Sequence, residues 1–599
     1  MKIQKERILF IVLFLFSVFI ASIIWDLIVI RYKDFGIMGQ YSKNNYHALN
    51  DILRYLVFLI IPTAVVLIFK YFTNKKFLNE LSCFFNDKSK DIFFFKQNIY
   101  LNIFYFIVIL ILFLSFFSIH FPTNLIDSYH EGQRTSSAYK NLLDNTLWSG
   151  SYITVGIIYE TLSSSIFWRF FDHVSIGLSR FADIFYTFVF KVLLVSLIYY
   201  LAKLTKLDNS KQIFFFLLNS SLIISLIDYD TGNVDVISFR EIPIILLILF
   251  FGMIILNKKI LFSLFCISLL SITSMLWGID RGLVCNILIL IILFYFILTK
   301  KNKEIYYLIF FLILNWIFLY LILDKEFVYF IDNTFLIYKE MNYVHGLIHP
   351  TPFTDQPNSS RATKTLLLIL ICIIISINLI FKKKYPKEFV KMIVFLTIIS
   401  IGSYLYALGR SDGPHIKNSF GFPLITFFIF ISYFLLRKLK IYSNVKIYSL
   451  NFVVLFFLFS LSNINLSKLF TFNDRFKNYI YLEDHKFLSD KEKKLVQFLE
   501  PKLKNFECIQ LFSNDAILYY LLRKKSCSKY YFIWSASSTK NQKKFIDDLK
   551  KIDLIIYGGK KNLWDFPLNK KLFLVDSYIN TNFNISETFE DWKILIRQK

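Results

Sequence analysis

The sequence predicts an α-helical polytopic membrane protein of about thirteen transmembrane helices with a small C-terminal extracytoplasmic α/β domain. Three observations lead there. Of 599 residues, 56% are hydrophobic, more than a soluble chain of this length uses to fill its interior. Apolar runs of about 15–23 residues recur through the first three-quarters of the chain, and a helix needs about 20 to cross a bilayer. Basic residues gather in every second short loop, which is the positive-inside pattern.

The spans are expected at Ile8–Ile30, Ile52–Phe72, Tyr100–Ile119, Ile184–Leu201, Ile213–Ile227, Ile242–Leu256, Ile260–Leu276, Leu283–Leu298, Ile305–Leu323, Thr365–Phe381, Phe389–Leu408, Phe420–Leu436 and Ile447–Leu461. The first is long and no small-residue cleavage site follows it, so it reads as a retained signal anchor. With a cytoplasmic N-terminus, successive inside loops carry Lys75, Lys76, Lys88, Lys90 and Lys96; Lys203, Lys206 and Lys211; Lys258 and Lys259; Lys300, Lys301 and Lys303; Lys382, Lys383, Lys384 and Lys387; and Arg437, Lys438, Lys440 and Lys446. The net charge of +25 is thereby spread over short loops. It is not one basic face, which argues against a nucleic-acid partner.

The other face holds the chemistry. Its loops contain Asp127-Ser-Tyr-His130-Glu131-Gly, then Arg134, Asp228-Tyr-Asp230, Arg240-Glu241, Trp277-Gly-Ile-Asp280-Arg281-Gly, His345, His349, Arg361 and Arg410-Ser-Asp412-Gly-Pro-His415. Ionisable groups at the mouth of a bilayer are costly unless paired, so they tend to mark a site. Each also has a plainer reading. Asp127 can cap a helix, the Trp277 segment can be a tight interfacial turn, and Gly-Pro after Asp412 can be turn chemistry alone. His345 and His349 are four apart, but Pro350 and Pro352 argue against the helix that would put them on one face. No Cys-x-x-Cys, His-Glu-x-x-His, Walker or Gly-x-Gly-x-x-Gly motif is present.

Two outside loops are long. The first, 120–183, is expected to hold interfacial helices, Tyr152–Phe171 among them; the second, 324–364, carries Pro350, Pro352 and Pro357 and reads as irregular. Residues 1–465 thus form the transmembrane module. Residues 466–599 are polar and alternate strand-like and helix-like runs. Strands are expected at Glu507–Phe512, Tyr530–Ile533 and Asp553–Tyr557, and helices at Asn514–Arg523 and Lys540–Lys550, which suggests a parallel sheet. Cys508 and Cys527 fall in this domain, where a disulfide is permitted.

About thirteen spans, an acidic motif opening the first large outside loop and a C-terminal outside domain resemble the GT-C superfamily of membrane glycosyltransferases. That superfamily includes protein O-mannosyltransferases, the aminoarabinose transferase of lipid A and the dolichol-pathway transferases. The motif carrying the resemblance is Asp127 to Glu131, joined by arginines near the outer surface. It implies a sugar donor on a polyprenyl phosphate, and a glycan, lipid or protein acceptor. Transfer would take place on the periplasmic or extracellular face of a bacterial inner membrane. A sugar hydroxyl is a poor nucleophile, so a carboxylate must take its proton: Asp127 first, Glu131 second, with His130 either orienting a carboxylate or touching phosphate. One base suffices for a single inverting displacement. The leaving phosphate calls for arginine, and Arg281, Arg410, Arg361 and Arg134 are the candidates, with Arg240 behind them; Asp280, Asp412 and His415 belong to the same loops. No cofactor is required, although some relatives use a divalent metal. The competing readings are a polysaccharide polymerase or O-antigen ligase, which would share the lipid-linked substrate, and a lipid or solute transporter. A transporter is disfavoured by the 17 Gly, the 11 Pro and span centres nearly free of charge.

Overall fold

The computed structural model describes residues 2–74, 77–85, 98–229, 236–382, 385–439, 444–559, 562–563 and 566–598. Asp230 and the lysines at 75, 76, 88, 90, 96, 383, 384 and 440 lie outside them. Among the described residues ten helices are long and apolar enough to cross a membrane: Glu6–Leu27, Leu49–Thr73, Ile99–Phe117, Ile176–Leu204, Ile260–Trp277, Ile279–Leu298, Asn302–Leu323, Ser359–Ile380, Lys387–Leu408 and Gly413–Lys438. Each falls on an expected span. The other three expected spans are helices too, Asn209–Leu226, Ile242–Ile255 and Asn444–Leu461, but they do not meet the same measure, so ten spans are counted among the described residues and the expected thirteen is not reached. The reasons are local. Asn219, Ser220 and Ser221 sit in the middle of the first of these. The second has 14 residues, about 21 Å at 1.5 Å per residue, against a hydrocarbon core of about 30 Å.

Hydrogen bonds between loops sort into two faces. On one, Asn98 donates to Gln212 Oε1 at 3.1 Å and Lys211 to the Leu439 carbonyl at 3.1 Å. On the other, the Ile126 N–H donates to the Phe487 carbonyl at 2.9 Å, and the Tyr152 N–H to the Lys529 carbonyl at 2.9 Å. The expected inside loops meet one another, and so do the expected outside loops.

The first outside loop is more ordered than a loop. It holds helix His130–Asp144, a π-turn Ile158–Leu162 and helix Ser163–Phe171. The helical stretch expected from Tyr152 begins only near the π-turn. Residues 151–156 are non-helical because the buried Glu160 carboxylate accepts the backbone N–H groups of Thr154 and Val155 at 2.9 and 2.8 Å. This strand of loop wedges against the turn between two spans: the Ile279 N–H reaches the Val155 carbonyl at 2.6 Å, and a Cβ on Gly156 would lie 2.5 Å from the Trp277 carbonyl oxygen. In the second outside loop the chain first forms helix Lys325–His345, then runs irregularly to Asn358, as its prolines require.

The C-terminal domain has a five-stranded sheet in the order Lys525–Ser526, Cys508–Phe512, Leu554–Tyr557, Trp592–Arg597, Phe583–Phe589. The first three strands are parallel. The last two form an antiparallel hairpin, so the sheet is mixed rather than parallel. Tyr530–Ile533 is not the expected strand. Its aromatic side chains are spent on anchoring: the Tyr531 hydroxyl donates to Glu160 Oε1, and Tyr530 to Asn541 Oδ1 at 3.2 Å. β-Propensity yields there to tertiary contact. Cys508 and Cys527 are joined by a disulfide, Cα to Cα 5.0 Å.

One hydrophobic core runs through the helices around Phe190, Leu194, Leu201 and Phe216. A second lies under the sheet. It takes Ile509, Leu511, Ile555 and Trp534 from the domain and Tyr41, Tyr129, Ile337 and Tyr343 from the outside loops. The domain is therefore seated on the loops by a shared core, not tethered above them.

Candidate functional site

Asp127 precedes helix His130–Asp144 and turns the chain into it. Its Oδ1 accepts the backbone N–H groups of Tyr129 and His130 at 2.9 and 3.1 Å, an Asx-type cap. Its Oδ2 lies 2.7 Å from His130 Nδ1, and the side chain remains 47% exposed. Capping and chemistry are thus compatible: one oxygen holds the backbone while the other faces the imidazole and solvent. Burial alone would raise the Asp127 carboxyl. The hydrogen bond and charge of His130 and the two backbone donors outweigh it and hold the group well below the usual carboxylate range. Glu131 differs. Arg180 grips both of its oxygens, Nε to Oε1 at 2.8 Å and Nη2 to Oε2 at 2.9 Å, and Oε2 also accepts the Asp127 N–H at 2.8 Å.

A second group joins the spans that follow. Arg281, 4% exposed, donates to Glu241 Oε1 at 2.9 Å and to Asn418 Oδ1 at 3.1 Å, pairs with Asp280, and lies 3.9 Å over the Tyr406 ring. Arg240 pairs with the same Asp280 at 3.1 Å. Two arginines and two carboxylates here neutralise one another. Tyr159 stacks between this group and the first loop, with the Arg134 guanidinium 4.6 Å and the Arg240 guanidinium 5.1 Å from its ring centre. Arg134 itself is paired with Asp183.

A third group follows the helix end at Leu408. Arg410 Nε donates to Asp412 Oδ2 at 2.9 Å, and Asp412 Oδ1 caps helix Gly413–Asn418 through the His415 N–H at 3.0 Å and meets His415 Nδ1 at 2.6 Å. Burial would raise the Asp412 carboxyl, but His415 and then Arg410 outweigh it and hold it low. Arg361 is exposed beside Gly413: a Cβ there would lie 2.3 Å from its Nη1.

His345, the last residue of its helix, lies between the first and third groups. Burial lowers its pKa well below the ordinary histidine value, and the positive charges of Arg410, Lys571, His415 and His130 lower it further. Tyr129 likewise feels both Asp127 and Arg410. Two long outside loops, the 409–420 turn and Lys571 of the C-terminal domain thus face a common centre. His349 is apart from it: Nε2 meets the Tyr404 hydroxyl at 2.8 Å and Nδ1 the Pro350 carbonyl at 2.9 Å, a satisfied core histidine. Asp228 Oδ1 accepts the N–H of Tyr229. Among the described residues no three His, Cys, Asp or Glu side chains are placed to hold a metal ion together.

Arg180 and Asp183 escaped the sequence reading because they were assigned to the loop before Ile184. The helix in fact begins at Ile176 and carries both charges in its first turns. The signal was their i,i+3 spacing, matched by Glu131 and Arg134.

No family model matches the sequence, and no curated protein matches it. The chain is similar to two crystal structures of ArnT from Cupriavidus metallidurans. One, bound to undecaprenyl phosphate, shares 10% identity over 83% of this chain and 97% of that chain, with a TM-score of 0.43. The other, in the apo state, shares 10% identity over 82% and 97%, with a TM-score of 0.40.

Proposed function

We propose that this protein is a membrane glycosyltransferase. It moves a sugar from a polyprenyl-phosphate donor to a glycan, lipid or protein acceptor on the non-cytoplasmic face of a bacterial inner membrane. One observation carries the reading: a half-exposed carboxylate, Asp127, shares a membrane-mouth centre with the Arg410 guanidinium and the imidazoles of His345 and His415. In this reading Asp127 takes the proton of the acceptor hydroxyl as its oxygen attacks the anomeric carbon. The bond from that carbon to the donor phosphate breaks, and the configuration inverts. His130 steadies the carboxylate. The phosphate, gaining charge as it leaves, is met by Arg410 with Arg361 beside it, and by the Arg240–Asp280–Arg281 group or Arg134 on the other flank. Arg410 is paired with Asp412 as Arg281 and Arg134 are with their carboxylates, but its charge acts on Tyr129, two residues from Asp127, so it is the first choice. A monophosphate leaving group does not demand a metal.

Sugar transfer from a panel of radiolabelled polyprenyl-phosphate sugars in proteoliposomes tests this, with wild type beside Asp127→Asn and Glu131→Gln. Transfer that Asp127→Asn abolishes at intact protein level supports the reading. Transfer indifferent to both substitutions overturns the assignment and moves attention to Asp280 and Asp412.

A further inference from the structure

The chain from Pro122 to Asp127 has no regular secondary structure, so its shape comes from the groups its carbonyls and N–H groups find elsewhere. Three of the carbonyls find Arg180. This side chain is 2% exposed. Its Nη1 donates to the carbonyls of Asn124 at 2.9 Å and Pro122 at 3.3 Å, and its Nη2 to that of Leu125 at 3.4 Å. The rest of the guanidinium forms the two-point contact with Glu131, whose Oε2 in turn accepts the Asp127 N–H. One rigid fork therefore holds the segment before Asp127, the residue four positions after it and, through that residue, the Asp127 backbone itself. A planar guanidinium with five fixed donors suits this; a lysine ammonium, a single flexible point charge, does not.

The hold is reinforced one helical turn on. Glu131 and Arg134 are three apart on one helix, Arg180 and Asp183 three apart on another, and the pairs cross as Glu131–Arg180 and Arg134–Asp183. The four side chains line a small cavity with Ile126, Thr135, Ile176 and Ser179. A buried ion pair adds little net stability over apolar packing, so its value here is geometric.

We infer that Arg180, acting through Glu131, is a positioning residue that sets the place of the Asp127 carboxylate; this rests on the reading of Asp127 as the base. Glu131 is then the link in that path, not a second base.

The test combines steady-state transfer with hydrogen exchange on the full-length protein in proteoliposomes, using Arg180→Lys, Arg180→Met, Glu131→Gln and a control, Arg475→Met. Arg475 makes the same kind of tie upstream, donating to the carbonyls of Ile119, Phe117 and Lys468 at 2.6, 2.8 and 2.8 Å, without reaching Asp127. A misplacement of about 1 Å costs on the order of 100-fold, so both Arg180 variants should lose about that in kcat while the donor KM changes little. Glu131→Gln should lose less, because its amide oxygen still accepts the Asp127 N–H. Amide exchange over residues 126–133 should speed up in the Arg180 variants and stay as in wild type in Arg475→Met. The inference is overturned if the Arg180 variants keep their kcat, if Arg475→Met loses as much, or if exchange over 126–133 is unchanged. Wild type inactive with every donor would sink the transferase reading instead, and exchange would still decide whether Arg180 holds the segment.

Discussion

Asp51 stands in the first turn of helix Leu49–Thr73 and Asp127 ten residues beyond helix Ile99–Phe117, and the surroundings of these two carboxylates are opposite. Asp51 is fully buried. Its oxygens accept from the Tyr46 and Tyr41 hydroxyls, the latter at 3.1 Å, and from the His349 N–H at 3.3 Å; Arg54 is joined to it through Tyr46 at 3.0 Å. Both oxygens are engaged, and neither opens to solvent. Asp127 has one oxygen engaged with the backbone and the other with an exposed histidine. The first carboxylate is a fastening for loops 28–51 and 346–349. The second keeps a face open to solvent, as the proposed base requires. With three hydrogen-bond partners each, the two carboxylates differ in exposure, 0% for Asp51 against 47% for the Asp127 side chain, and not in residue type.

Substitution of the open member should give the largest effect. Asp127→Asn removes the base while keeping a cap acceptor, so transfer should fall about 10³-fold, within the range for lost general-base catalysis, at near-normal thermal stability. Because the carboxyl is held low, it stays ionised throughout the neutral range, and no acid limb in kcat/KM from this group should appear above about pH 4. A limb centred near pH 6 would point to a histidine instead. The closed member should behave the other way. Asp51→Ala strands two tyrosine hydroxyls and a backbone N–H in a dry site, costing about 4 kcal/mol. Thermal unfolding in detergent should drop markedly, while transfer per folded molecule changes far less than in Asp127→Asn. Equal losses of activity at equal stability would erase the distinction.

Much of this contrast was legible in the sequence, and the part that was not has a common cause. Alternating lysine loops placed Asp127, Asp280, Arg281, Arg410 and Asp412 on one face, because the positive-inside signal is local and repeated. All thirteen expected spans are helices for the same reason: hydrophobicity over a window is a local property. Arg180 was hidden because helix Ile176–Leu204 runs eight residues beyond its apolar stretch, and charge there looks like loop. Asp51 was passed over because it stands one residue before an expected span, where only three distant partners, Tyr41, Tyr46 and His349, give it meaning. The hairpin Phe583–Phe589 with Trp592–Arg597 and the shift of the strand from Tyr530 to Lys525 likewise depend on contacts far along the chain.

The seat of the C-terminal domain sharpens the comparison further, since it directly meets Ser128 and Gly132, the residues that follow Asp127 and Glu131. The Ser128 hydroxyl donates to Asp515 Oδ1 at 2.6 Å, and a Cβ on Gly132 would lie 2.5 Å from the Ile517 backbone nitrogen. The Cys508–Cys527 bridge closes a sequence separation of 19 within that domain. Cys508→Ser should lower its stability by about 3 kcal/mol in the chain-entropy account. The checking measurement is protease sensitivity of residues 508–531 in proteoliposomes, with transfer followed in parallel. Faster cleavage with a moderate loss of transfer is expected.

The smallest effect belongs to His349, which roofs the closed carboxylate. Burial pushes its pKa down to about 4, below the ordinary histidine value near 6.5. The unfolded chain therefore binds a proton that the folded one refuses. The stability contributed by neutral His349 is fully present above pH 6.5 and is lost as the pH falls toward 4. The unfolding temperature should decline across that window. In His349→Gln, which keeps a polar partner for the Tyr404 hydroxyl but cannot titrate, it should decline less. Asp127→Asn should leave this slope as in wild type, because Asp127 does not change its charge between pH 4 and 6.5. A slope that vanished with Asp127 rather than with His349 would mean that the open carboxylate, not the closed cluster, couples this fold to acid.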